Sequence, residues 1–397
     1  MPNPMLADLA TEVAALAASP EHLARRRLWI DLHSLRAGRP LVSYAMYTHV
    51  WERELAPAAA IVSPDGLERA IEVQLRARLW KARHIPDDEP VLPTVWLWAP
   101  PLPGSGPLWG IDLPSRQSDA PGAYKPVPPI GGRQDLPRLR PPRYRIDRAE
   151  ADRLIAEATE LIGGALPVKV HHDEAHFGPF EWVVRMRGMD ALLYDVVDAP
   201  DLVHDLMEIA TSGIIAYHRG REAAGDADPE AGLTIHMYHD DLPAPPRLRH
   251  SWAYVHAQSA ASLSPGMYEE FVQPYNARVA ALFGKVYYHG CEDLARKARI
   301  IGRLPNLRLF HIGPWTPPEP VLAALADRCA YEVHSHPTRV LFEEEFGAAR
   351  TDLARLASAM RGSQHVLKLC DVETVGGHGE RLAAWAVAAR EAAEAAM

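Results

Sequence analysis

Residues 284–291 read GKVYYHGC, and residues 365–371 read HVLKLCD. Each is a short apolar run, bounded by a turn signal, that ends in side chains able to ligate a metal. Residues two apart point the same way on an extended chain, so His289 and Cys291 can converge on one ion. Cys370 ends the last such run, 79 residues on (370 − 291). The chain has only three cysteines, Cys291, Cys329 and Cys370. So small and odd a number argues against a disulfide framework and leaves metal binding or plain burial. Thiolate and imidazole together favour zinc. Three protein ligands with one open position suit a catalytic ion, whereas structural zinc usually takes close Cys-x-x-Cys pairs, and none occurs. The plainer alternative makes Cys291 and Cys370 small buried hydrophobes. Cys329, on a helix before a strand, is read as core.

Working outward, six more β-branched or aromatic runs are bounded by turn signals: 39–46, 91–99, 166–173, 232–241, 307–313 and 330–336. Helical patterns separate most of them, at 148–162, 199–224, 264–283, 291–301, 318–328, 350–361 and 379–396. Eight strands alternating with helices predict an α/β chain folded as a (β/α)8 TIM barrel, taken as a single domain over 1–397. A doubly wound open sheet is the runner-up, but no Gly-rich dinucleotide turn follows an early strand. Residues 1–38 read as an N-terminal helical extension. The segment 100–145 reads as a long βα loop, with twelve prolines between Pro100 and Pro142 that forbid regular helix or central strand. Such a loop either caps a site or is a surface excursion.

The predicted strand ends carry His171, His172 and Asp173, then Asp240 and Asp241, His289 and Cys291, His311, His334 and His336, and Cys370 and Asp371. Catalytic groups of barrel enzymes come from these ends. Asp240 and Asp241 are candidates for a fourth zinc ligand or a proton acceptor, and alternatively for helix capping. His171 and Glu174 belong to a second polar cluster with His172 and His176, which either handles substrate or is a solvated loop. The fourth ligand stays open among Glu174, Asp240, Asp241 and His171. Two cysteine ligands make zinc electron-rich and weakly acidic. That suits alkylation of a bound thiolate better than hydroxide generation.

Bulk properties narrow the partners. Hydrophobic residues make up 48% of 397, enough for a large core, and the formal net charge is -9. No Lys/Arg run appears, so nucleic acid is excluded as a partner. No apolar stretch approaches membrane-spanning length. The segment MPNPMLADLATEVAAL lacks a basic n-region and an apolar h-region, so no secretory signal is expected and cytoplasm is the default compartment.

From Gly232 onward the chain resembles the uroporphyrinogen decarboxylase superfamily. The residues that carry the likeness are Asp240-Asp241, Ser264-Pro265, Tyr268-Glu269-Glu270-Phe271, Pro274 and the strand running into His289-Gly290-Cys291. Within it, a His-x-Cys after a strand and a distant late Cys mark the zinc methyltransferases, similar to methylcobamide:coenzyme M methyltransferases. The resemblance implies a (β/α)8 barrel, zinc ligands at His289, Cys291 and Cys370, and transfer of a methyl or alkyl group between a corrinoid or other donor and a thiol. Two departures stand out. Glu292 follows Cys291 where the family often has Gly, and RPLVSYAMYTHV lacks the Arg-rich porphyrin-carboxylate segment of a decarboxylase. No Asp-x-His-x-x-Gly motif occurs, so any cobalamin would be supplied by a partner protein or free. The alternatives are a zinc-dependent lyase, hydrolase or decarboxylase on the same barrel, and a non-catalytic protein that binds a corrinoid or small metabolite. Barrels often dimerise, which makes a homodimer a candidate state.

Overall fold

The computed structural model describes residues 2–57, 60–117, 124–172, 174–228 and 247–397. The chain opens with helices α1 (Pro4–Ala17) and α2 (Pro20–His33), which lead into β1 (Leu41–Tyr44). The short α3 (Thr48–Val50) continues as a π-helical turn, followed by α4 (Leu67–His84) and β2 (Val95–Trp98). Next come β3 (Ser115–Gln117), β4 (Tyr124–Pro126), α5 (Arg148–Leu161) and β5 (Val168–His171). Three helices follow: α6 (Pro179–Arg187), α7 (Met189–Asp198) and α8 (Pro200–Ala223). Then come β6 (Trp252–His256), α9 (Pro265–Phe271), α10 (Gln273–Ala280), β7 (Lys285–His289), α11 (Ala298–Ile301) and β8 (Leu307–Ile312). The chain closes with α12 (Pro318–Leu325), β9 (Ala330–His334), α13 (Pro337–Phe342), α14 (Gly347–Ala359), β10 (His365–Leu369) and α15 (Glu380–Ala395).

Proline punctuates this order. Helices α1, α2, α6, α8, α9, α10, α12 and α13 all carry it in the first two positions. There its missing N–H costs nothing and its fixed φ matches the helix. Pro274 also explains a difference from expectation. One helix is predicted over 264–283, but the chain breaks at Val272, whose φ is -122°. A helix is likewise predicted from 291 to 301, and only Ala298–Ile301 is helical. The turn before it is held by Thr316, whose Oγ1 accepts the Leu294 N–H at 3.1 Å.

Six strands form one parallel sheet in the order β1-β10-β9-β8-β7-β6, and β2 pairs with β5 in a second parallel ladder. Seven of the eight predicted runs contain a strand. The run 232–241 lies outside the described residues, and Trp252–His256, which no turn signal announces, supplies the strand beside β7.

Strand alternation sorts the side chains. Val286, Tyr288, Phe310, Ile312, Tyr331, Val333, Leu367 and Leu369 join the large core shared with α6 to α15. The opposite phase places Leu41, Trp252, Tyr287, Leu309, Ala330 and Val366 in a separate cluster with Trp29 and Leu32 of α2. The β2–β5 pair has its own core, with Leu6, Val13, Ile71, Leu75, Ala158 and Ile162 from α1, α4 and α5. The Pro-rich segment packs against the helix layer. Trp109 is buried with its ring 5.4 Å from that of Trp182, and the Ile130 N–H donates to the Met186 carbonyl. A side chain at Gly213 would meet Pro142 at 2.5 Å, so glycine is what lets the segment lie this close to α8. Its regular structure among the described residues is the antiparallel β3–β4 ladder and a 3-10 helix at Arg133–Arg138.

Candidate metal centre

The phase that carries Leu309, Ala330 and Val366 low on the strands turns polar at the C-terminal ends. There it presents His289, His311, Glu332 with His334, and Lys368 with Cys370. The register sets His311 beside Glu332 and His334 beside Lys368. Three imidazoles therefore crowd together. His289 and His311 are stacked with centroids 4.2 Å apart, and His311 and His334 meet edge-on at 4.2 Å.

Among the described residues, one group of potential ligands has all its donor atoms within 4.8 Å of one another: His334, Cys370 and Asp371. His289 and Cys291 form a close pair alongside, with Nε2 3.9 Å from Sγ. Of the three ligands expected from sequence, Cys370 thus belongs to the tight group and the other two to the pair.

Supporting hydrogen bonds fix the rings. Glu332 is 1% exposed and accepts from Lys368 Nζ at 3.0 Å, Tyr287 Oη at 2.6 Å and His334 Nε2 at 2.8 Å. With Nε2–H given to a carboxylate, His334 keeps Nδ1 as its lone-pair nitrogen, the arrangement typical of metal-bound histidine. His289 Nδ1 is 2.9 Å from Tyr254 Oη, which leaves Nε2 toward Cys291. His311 Nδ1–H donates to the Gly290 carbonyl at 2.6 Å.

The electrostatics suit a cation. Burial pushes the Cys291 thiol up to about 12, and Asp371 and Glu292 add to the rise. Burial likewise raises Cys370 to about 12, against the opposing pull of Lys368. Two neutral thiols, Cys370 buried and Cys291 half-buried, stand beside carboxylates and need a positive partner before they ionise, and a divalent metal supplies one. The donor set of imidazole, thiolate and carboxylate therefore fits zinc. Glu292 is itself buried, which lifts its carboxyl to about 7.

His171 and Glu174, also predicted for the site, lie elsewhere. Asp240 and Asp241 are outside the described residues. His171 ends β5 with its ring 3.9 Å from that of Trp98. Glu174 meets His172 Nε2 at 3.3 Å, and its N–H donates to Tyr217 Oη. Trp98 and His171 also line a cavity of about 600 Å³ between α4 and β2, walled by Ala70, Val73, Ala77 and Trp96. Tyr47, Tyr254, Glu332 and Lys368 were not anticipated. The signal for the last two was a charge on an apolar strand two residues before a candidate ligand. Tyr254 was hidden with its strand, and Tyr47 lies in a loop after β1.

No family model matches the chain, and no curated protein matches it. Among solved structures, a methyltransferase from Methanosarcina mazei has a similar fold, with a TM-score of 0.54 at 13% sequence identity over 92% of this chain and 97% of that one.

Proposed function

We propose that the protein is a zinc-dependent methyl or alkyl transferase that acts on a thiol or similar acceptor. A corrinoid carried by a partner, or free, is the proposed methyl donor. The observation that carries this reading is the gathering of His334, Cys370 and Asp371 within 4.8 Å, beside the His289–Cys291 pair, at the C-terminal ends of parallel strands. We read the eight parallel strands as a (β/α)8 barrel in which, among the described residues, no ladder joins β1 to β2 or β5 to β6. That places the cluster on the rim where barrel enzymes do their chemistry. The fold likeness to a methyltransferase agrees with the reading.

His289, Cys291 and Cys370 would hold the ion, and the His334 ring, held by Glu332, packs beside Cys370 and Asp371 at its edge. Zinc bound by two thiolates supplies a weakly acidic centre that keeps an acceptor thiol ionised at neutral pH. The chain's own groups prepare the place. The Lys368–Glu332 pair and Tyr287 fix the His334 ring, Tyr254 fixes His289, and the layer of Leu309, Ala330 and Val366 beneath keeps water from entering from below.

Elemental analysis of the purified chain tests the metal, and a screen of methyl donors with thiol acceptors tests the transfer. The expected result is about one zinc per chain, because one ligand set of two thiolates and an imidazole holds one ion. Cys370→Ala and Cys291→Ala should lose both the metal and the activity. Full methyl transfer by metal-free protein would overturn the proposal.

A further inference from the structure

In β10 the side chains of Val366, Lys368 and Cys370 share one face, so an extended residue 371 would point away from Cys370. Asp371 instead has φ 58°, one of four non-glycine residues with positive φ among those described. Asp and Asn tolerate this left-handed conformation better than most residues, and it recurs where a functional side chain must be turned back. The turn brings Asp371 Oδ1 to 3.7 Å from Cys370 Sγ. Tyr47 Oη donates to the same oxygen at 3.0 Å, which fixes the carboxylate from the β1 side. The carboxylate is exposed at the outer edge of the cluster, where an incoming molecule reaches it first.

We propose that Asp371 is the fourth ligand of the resting metal centre and the one that an acceptor thiol displaces. The proposal rests on the zinc reading above. It gives the fourth place to a residue other than Glu174, Asp240, Asp241 and His171. His289 and Cys370 are buried, and Tyr254 also holds the His289 ring. Asp371 is exposed and lies beyond the end of β10, so it can leave the ion by giving up the Tyr47 hydrogen bond while β10 stays in place. In the exchange the metal–carboxylate bond breaks, a metal–sulfur bond forms, and the thiol proton leaves to the buffer. Charge at the centre is conserved, because one anionic ligand replaces another.

The test uses the full chain and the variants Asp371→Gly and Asp371→Asn, both compatible with positive φ, with thermal unfolding as the control for folding. Zinc affinity is read by competition with a chromogenic chelator. Thiol affinity is read by titrating cobalt-substituted protein with 2-mercaptoethanol and following the thiolate-to-metal absorption. Both variants should bind zinc more weakly by about tenfold or more, the scale on which a metal site responds to loss of a supporting group. Both should bind 2-mercaptoethanol more tightly, because no carboxylate has to leave. Parent-like zinc and thiol affinities would overturn the proposal. So would weakened zinc with unchanged thiol affinity, since Asp371 would then merely position Cys370. If the parent chain itself binds no zinc, the metal reading falls as well, and the two failures are told apart by the parent's zinc content.

Discussion

At the scale of single residues, the least expected feature is a charge pair in an apolar setting. Lys368 is fully buried and Glu332 is 1% exposed, and they meet at 3.0 Å beneath the candidate ligands. Burial alone would lower the Lys368 ammonium, but the neighbouring Glu332 more than offsets this and holds it above its ordinary range. Such a pair adds little net stability compared with apolar residues, yet removing one partner strands the other. Lys368→Met should therefore cost about 3–5 kcal/mol, read as a lower urea midpoint. The double variant Lys368→Met/Glu332→Gln should recover part of that loss, and it should still bind metal more weakly because His334 loses its carboxylate partner. A single variant as stable as the parent would mean that Glu332 takes up a proton at no cost and that the buried pair is not what holds β9 and β10 together here.

At the scale of elements, the sequence made most strands legible because buried parallel strands read as apolar runs with clear ends. The residues at those ends were legible too, since His289, Cys291 and Cys370 all fall where a strand stops. What escaped was whatever depended on neighbours in space. Trp252–His256 has no flanking glycine or proline, so only its pairing with β7 reveals it. The left-handed turn at Asp371 and the reach of Tyr47 across from β1 leave no pattern in one sequence. The strand β10 also carries a pH effect at its other end. Burial of His365 lowers its pKa from the ordinary 6.5 to about 4. Above 6.5 the ring is neutral in both states and contributes no pH dependence. As pH falls from 6.5 toward 4 the unfolded chain takes up a proton that the folded chain refuses, so stability is lost across that window. The loss is on the order of 3 kcal/mol for this one group. Burial of His256 in β6, which lowers it to about 3, acts in the same direction. His365→Gln should flatten the acid limb of a plot of urea midpoint against pH. An unchanged slope between pH 6.5 and 4 would show that His365 is not the group responsible.

At the scale of the whole molecule, three distant parts of the chain meet on Asp88. Its buried carboxylate accepts from Arg39 Nη1 and Nη2 at 2.9 and 2.8 Å, from the Val42 N–H at 2.8 Å, and from Arg390 of α15 at 3.2 Å. Its own carbonyl accepts the Trp29 indole N–H of α2 at 2.9 Å. One residue thus ties the helix that covers the lower end of the sheet, the start of β1 and the last helix. Burial would raise the Asp88 carboxyl, but the Arg39 hydrogen bonds outweigh it and hold it below the usual carboxylate range. The cluster of Trp29, Leu32, Leu41, Trp252 and Val366 depends on α2 staying in place, so Asp88 acts on it indirectly. Asp88→Ala should cost about 3 kcal/mol, because it leaves Arg39, Arg390 and the Val42 N–H without their common acceptor. The loss should not be confined to one end of the chain. Amide exchange should quicken in α2, β1 and α15 together, while α6 to α8, which do not touch Asp88, keep their protection. Faster exchange in α2 alone would instead mean that the N-terminal helices are held by their own apolar contacts, and that Asp88 does not couple the two ends of the chain.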